Sequence, residues 1–269
     1  MVAASYCGMR PDGSGIIHAN MGLSQIHMPI DAATPQTWTG TVGLAYSKAE
    51  FDAAWELLSS QSEWHAEKVG ATEIATVGPH GNRYHLHAVD DAWVSASRTR
   101  GSIHRGQTDK EGKTCDGDDA RCAGMLYVTV NVAPGKAARI ANFYTAAFGA
   151  TPVVEATSAG HSCTVPIGTA EHGQSIIYLD TEGELPEYDG HHLAIYLDDY
   201  AGGYTASAEQ GLIWNNPRFN DMPKTVEEAM ELAQFRMKDI VDVETGEVLL
   251  ELEHEIRCRY NNKLSPLLN

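Results

Sequence analysis

"DIVDVETGEVLLELEHE", Asp239–Glu255, is the stretch on which the reading of this chain turns. "FRMKDIVD" and "EVLLELEHEIR" form a hairpin around Glu244-Thr245-Gly246. Its second strand carries Glu251, Glu253 and Glu255 at strict alternation among leucines. Like charges on one strand face repel and are costly to bury. Water, basic partners or a cation must offset them.

Upstream of that hairpin the pattern is periodic. "HHLAIYLDD" reads as a strand, "YAGGYTASAEQGL" as a helix ending near Gly211, "IWNNPRF" as a strand and "TVEEAMELA" as a short extra helix. Before them, "MLYVTVNVA" alternates as a strand, and "GKAARIANFYTAAFGA" places Ile140, Phe143, Tyr144 and Phe148 at helical spacing. "TPVVEA", "SCTVPIG" and "QSIIYLD" follow as strands. Each half thus reads strand, helix, then about three strands.

The first part of the chain repeats this cycle incompletely. "GIIHANM", "LSQIHMPI" and "TGTVGLAYS" are strands, "KAEFDAAWELLSS" is a helix, and "TEIATVG" pairs with "NRYHLHAV" across Pro79-His80-Gly81-Asn82. An opening strand and helix before Gly15 are missing, which predicts either a shortened chain or a degenerate first module. The Gly- and charge-rich stretch Ser97–Gly124 has almost no apolar periodicity and reads as a linker. The expected organisation is an N-terminal domain over residues 1–96, a linker over 97–123, a complete domain over 124–258 and a tail over 259–269.

Composition narrows the function. The chain has 269 residues, 43% of them hydrophobic, so a substantial core is expected. The net charge of -17 argues against nucleic acid and anionic membranes as main partners. No apolar run approaches the ~18 residues that span a bilayer. The N-terminus lacks the apolar core of a secretory signal. Five cysteines (Cys7, Cys115, Cys122, Cys163 and Cys258) are read as reduced thiols of a cytoplasmic or other reducing compartment. An organelle remains an option if the N-terminus is processed. Cys115 and Cys122 bracket "DGDDAR" and would bridge only if oxidised; they lack zinc-ribbon spacing, and the acidic run lacks EF-hand spacing. No GxGxxG, P-loop or GxSxG pattern supports a nucleotide-binding or serine-hydrolase reading.

Three segments, in order, resemble the vicinal oxygen chelate family of glyoxalases, extradiol dioxygenases and fosfomycin-resistance proteins. "VNVAPGKAARIANFYTAAFGA" resembles its first strand and helix, "GHHLAIYLDDY" the opening of its second module, and "DVETGEVLLELE" its closing hairpin. "VGPHGNRYHLHA" resembles that hairpin more weakly. The resemblance implies an α+β fold of paired βαβββ modules, their curved mixed sheets enclosing a cup, in two tandem domains.

It also implies a site. Alternation puts Val248, Leu250, Leu252 and Ile256 against helices and the three glutamates toward the cup. Likewise His192, Ala194 and Tyr196 face the cup, as do Tyr127, Thr129 and Asn131. By resemblance His192 and Glu251 match two metal ligands, while Tyr127 stands in place of the third, a histidine. Glu253 is the alternative ligand or a proton carrier beside Tyr127. Such a site suits Fe, Mn, Zn or Ni. The alternative is a hydrogen-bonded His192 with glutamates at a wet rim. A second cluster is His27, His85 and His87, on which three imidazoles would suit zinc or copper, or which are solvent-facing strand histidines; by the family's turn His85 takes the place of the closing-strand carboxylate, and Thr41 stands where another ligand is expected. The implied activity is that of a metal-dependent isomerase, lyase or dioxygenase acting on a small oxygenated molecule. The rival readings are metal-free sequestration of a small ligand and a structural role in an assembly. Family members often pair, so a homodimer is among the expected forms.

Overall fold

The computed structural model describes residues 5–9, 15–21, 24–29, 35–99, 121–168, 173–219 and 221–258. It divides into two compact units: residues 1–129 with 167–175, and 130–166 with 176–269. The division falls inside a strand, β8, and not at residue 123.

The first unit begins with β1 (Ser5–Met9), β2 (Gly15–Met21) and β3 (Ser24–Pro29), an antiparallel three-stranded sheet. β1 lies in the segment expected to lack a strand. A module follows: β4 (Thr41–Tyr46), α1 (Lys48–Ser59), β5 (Ala66–Gly70), β6 (Glu73–Val77) and β7 (Arg83–Ala88). Its strands lie in the order β5-β6-β7-β4, with β7 and β4 parallel, and β4 then pairs antiparallel with β8 (Cys122–Val132). Ser47 starts α1 by accepting a hydrogen bond from the Glu50 amide, an N-cap that satisfies an otherwise unpaired donor. Phe51, Ala54 and Leu58 of α1 pack on Val42, Leu44, Ile74 and Leu86. α2 (Asp91–Thr99) brings Val94 against Ala45 and Ala123 on the other side of β4.

Two further elements of this unit, β5 and α2, differ from the expected pattern. β5 has two apolar side chains, Ala66 and Val69, which do not alternate, and it is largely exposed at the sheet edge, so it offers no period to read. α2 occupies Ser97–Thr99 of the expected linker, and β8 takes up Cys122 and Ala123 at its other end. Residues 100–120, which include Cys115, lie outside the described residues, as does the expected tail 259–269.

The second unit repeats the module. The end of β8 leads to α3 (Ala137–Phe148), β9 (Val153–Thr157), β10 (Gly160–Ile167) and β11 (Gln174–Asp180), whose strands lie in the order β8-β11-β10-β9. Asp180 is buried and accepts from the Ala137 and His161 amides, tying the start of α3 to β10 and β11. A last module comprises β12 (His192–Leu197), α4 (Tyr200–Glu209), α5 (Val226–Leu232), β13 (Gln234–Val241) and β14 (Val248–Cys258). β14 is central, parallel to β12 and antiparallel to β13. "IWNNPRF" is not a strand: one bridge, Ile213 to Met237, stands in its place. The β13–β14 turn is held by Asp242, which accepts from the Glu244 and Thr245 amides, while Gly246 adopts a φ of 75°.

Leu252 and Ile256 are buried as expected, whereas Val248, assigned to the same set, is 47% exposed at the strand's start. Between them, His254 is also buried. Its Nδ1 donates to the Leu252 carbonyl at 2.8 Å, so Nε2 accepts from the Tyr144 hydroxyl at 2.6 Å. Tyr144 has then spent its proton, and Tyr178 must donate to it. This chain of buried hydrogen bonds fixes the imidazole tautomer. Burial lowers the His254 pKa to about 4.

Candidate metal centre

In the first unit, alternation sends Val42 and Leu44 of β4, Tyr84 and Leu86 of β7, and Ile74 of β6 into the α1 core. The opposite face receives Gly43, His85, His87 and Glu73. Glu73 pairs with His87 across the β6–β7 ladder, and its neighbour Ala75 pairs with His85. Glu73 Oε1 lies 2.8 Å from His85 Nδ1. The two imidazoles are tilted by 54° with centroids 6.1 Å apart.

Glu73, His85 and His87 each offer a ligand atom, all within 4.8 Å of one another, a spacing a single ion can span. Two imidazoles and a carboxylate form a donor set for divalent Fe, Mn, Zn or Ni. Among the described residues this is the group of three that meets that geometry.

Tyr127 reaches the same site from β8. Its hydroxyl lies 2.9 Å from His87 Nε2, and the two rings meet edge to face. Gly43, paired with Tyr127 on the adjacent strand, makes this possible: a Cβ there would sit 2.5 Å from the phenol ring. The tyrosine therefore lies across β4 in the space of a missing side chain. Burial, with a smaller contribution from the nearby Glu73 charge, pushes the Tyr127 pKa up to about 12. Burial also lowers that of His87, assisted by His85 and opposed by Glu73.

The anticipated second-unit residues have other partners. In the β12-β14-β13 sheet, His192 is in register with Glu253, and Ala194 and Arg236 with Glu255. Glu251 pairs with Lys238. Glu253 accepts from Arg236 at 2.5 Å and from Asn216 at 3.2 Å. Glu255 is engaged by Arg236 at 2.9 Å and by Arg257, with His192 Nε2 at 3.8 Å. Burial opposes ionisation of Glu255, but Arg257 and then Arg236 outweigh it and hold its carboxyl below the usual range. Basic side chains thus answer the three glutamates. Tyr127 belongs to the first unit, and its hydroxyl meets His87 there.

His27 is exposed on β3 and is not part of the close group; Glu73 completes it instead. Glu73 was missed, though a signal was present. The hairpin pairs Val77 with Arg83, and counting back from that pair sets Glu73 opposite His87. Arg236 and Lys238 were missed in the same way, since "FRMKDI" alternates them opposite Phe235 and Met237.

No family model matches the sequence, and no curated protein matches it. Solved structures do. Glyoxalase I from Zea mays aligns over 91% of this chain and 78% of its own, with a TM-score of 0.52 and 12% identity. A putative dioxygenase from Bacillus subtilis subsp. subtilis str. 168 aligns over 96% of this chain and 78% of its own, with a TM-score of 0.53 and 13% identity. The chain has the vicinal oxygen chelate fold.

Within the vicinal oxygen chelate fold, β4-α1-β5-β6-β7 is one βαβββ module and β8 opens the next. His85 lies on the closing strand of that first module, where the resemblance calls for a carboxylate. The carboxylate comes instead from Glu73 on the neighbouring strand. Thr41 and Tyr127, on the two opening strands, bear no metal-binding imidazole. The donor set therefore draws on two adjacent strands of one module.

Proposed function

We propose that this protein is a metal-dependent enzyme of the vicinal oxygen chelate type, with its ion held by Glu73, His85 and His87. The observation that carries the reading is the 4.8 Å convergence of one carboxylate and two imidazole ligand atoms on one sheet face. Glu73, His85 and His87 would hold a divalent ion there, which would supply Lewis acidity toward a small oxygenated substrate. Glu73 and His85 orient each other through their 2.8 Å contact. Tyr127 orients His87, and its phenol, kept protonated by burial, is a hydrogen-bond donor beside the site. An isomerase, lyase or dioxygenase would each fit this arrangement, and the small oxygenated substrate is the common element.

Metal analysis of the purified full-length chain after reconstitution tests the reading. About one equivalent of Fe, Mn, Zn or Ni is expected, lost in His85→Ala and His87→Ala and retained in His192→Ala. Metal that survives both first-unit substitutions and disappears with His192 would move the centre to the second unit. A reconstituted protein holding no metal while still binding a small ligand would replace the enzyme with a sequestering protein. Turnover of catechols or α-hydroxycarbonyl compounds by the loaded chain then separates the reaction classes.

A further inference from the structure

The second unit contains an arginine in an unusual position. The Arg236 side chain is 4% exposed and lies on the acidic face of the β12-β14-β13 sheet. One terminal nitrogen is 2.5 Å from Glu253 and the other 2.9 Å from Glu255, two carboxylates that are themselves 5% and 6% exposed. Nε lies 3.5 Å from Asp221 without making a hydrogen bond. The Phe219 ring covers the guanidinium at 4.5 Å. Asn216 donates to both oxygens of Glu253, and His192 is 3.8 Å from Glu255.

Glu253, Glu255 and Asp221 thus approach the enclosed Arg236 guanidinium, and Arg257 meets Glu255 from β14 itself. Buried carboxylates at this density require a cation, and a guanidinium fork meets two of them at once. The vicinal oxygen chelate resemblance calls for a metal on this face, with ligands from β12 and β14. The residues present do not fit one, because the carboxylates that would bind it are already committed to Arg236, Arg257 and Lys238. We infer that Arg236 is the buried cation that closes the acidic face of the last module to divalent metal, and that, once Arg257 no longer competes for Glu255, removing the Arg236 charge uncovers a metal site formed by Glu253, Glu255 and His192. The inference concerns the second unit alone and holds whether or not the first unit binds an ion.

The test uses the full-length His85→Ala/His87→Ala/Arg257→Gln chain, in which Glu255 keeps only Arg236 as its basic partner, with Mn(II) as the probe and the paramagnetic resonance of free ion as the readout. With Arg236 intact, no Mn(II) is taken up at this face. Adding Arg236→Gln yields uptake of about one equivalent, lost again on Glu255→Gln. Arg236→Lys keeps the charge and takes up none. If the Arg236→Gln chain is unfolded alone, its folding is titrated with Mn(II): recovery of native circular dichroism supports the inference. Failure to recover at saturating Mn(II), or a folded Arg236→Gln chain that binds none, overturns it. So does Mn(II) bound with Arg236 in place and released by Glu253→Gln.

Discussion

The Tyr127 hydroxyl lies 2.9 Å from His87 Nε2, and it reaches that position across a glycine. One absent Cβ thereby links the register of β4 and β8 to the orientation of a candidate metal ligand. Outer hydrogen bonds of this kind orient ligating imidazoles and tune their affinity.

Gly43→Ala places a methyl 2.5 Å from the Tyr127 ring, so the ring must swing away. The expected cost is about 1–3 kcal/mol in urea unfolding, typical of overpacking. Metal affinity should fall with it, since His87 loses its partner. An unchanged melting temperature together with unchanged affinity would mean that the close approach carries no weight.

Tyr127→Phe removes the hydroxyl and leaves the ring. Metal affinity should drop roughly 10- to 100-fold, the range for outer-sphere partners. Stability should change little. Competition titration against a chelator reads the affinity, and a Co(II)-loaded spectrum reads the ligand geometry directly. Identical affinity and identical spectra would remove Tyr127 from the site.

Arg236→Leu leaves Glu253 and Glu255 buried with their shared partner gone. Breaking one side of such a pair typically costs about 3–5 kcal/mol. The triple change Arg236→Leu/Glu253→Leu/Glu255→Leu should recover much of that loss, because Arg236 and the two carboxylates it pairs leave together. Denaturant unfolding of both chains measures the difference. A single variant as stable as the parent would show that water already screens this cluster.

His254 should make stability depend on pH. Its pKa is about 4 in the folded chain, lowered by burial, against about 6.5 when unfolded. Between those values the unfolded chain holds a proton that the folded chain does not. This group's contribution is therefore complete above about pH 6.5 and is lost as pH falls toward 4, by on the order of 3 kcal/mol. The unfolding midpoint followed from pH 7 to pH 4 should show the decline, and His254→Leu should flatten it. A parallel pH dependence in both chains would assign the effect elsewhere.

Much of the architecture was legible from periodicity. The strands around Tyr84–Ala88 and Val128–Val132 alternate large apolar and polar side chains, whereas Val42–Tyr46 is buried on both faces and shows its α1 side only by the larger Val42, Leu44 and Tyr46. The α3 helix showed its buried stripe at Ile140, Phe143 and Tyr144. β5 and α2 gave less signal, since β5 is an exposed edge and α2 follows a polar turn.

The chemistry was legible only in part. His85 and His87 could be assigned to one face by alternation, as could the three glutamates of β14, because side-chain period is a property of a single strand. Which partner completes each set is a property of pairing between strands. Register across two hairpins set Glu73, and not His27, beside the histidines, and placed Arg236 and Lys238 among the glutamates. The linear chain specified how many charges each strand face carries. Only the folded sheet determined whether a neighbouring arginine or an open set of ligand atoms would meet them, because that depends on distances of a few ångströms between segments remote in sequence.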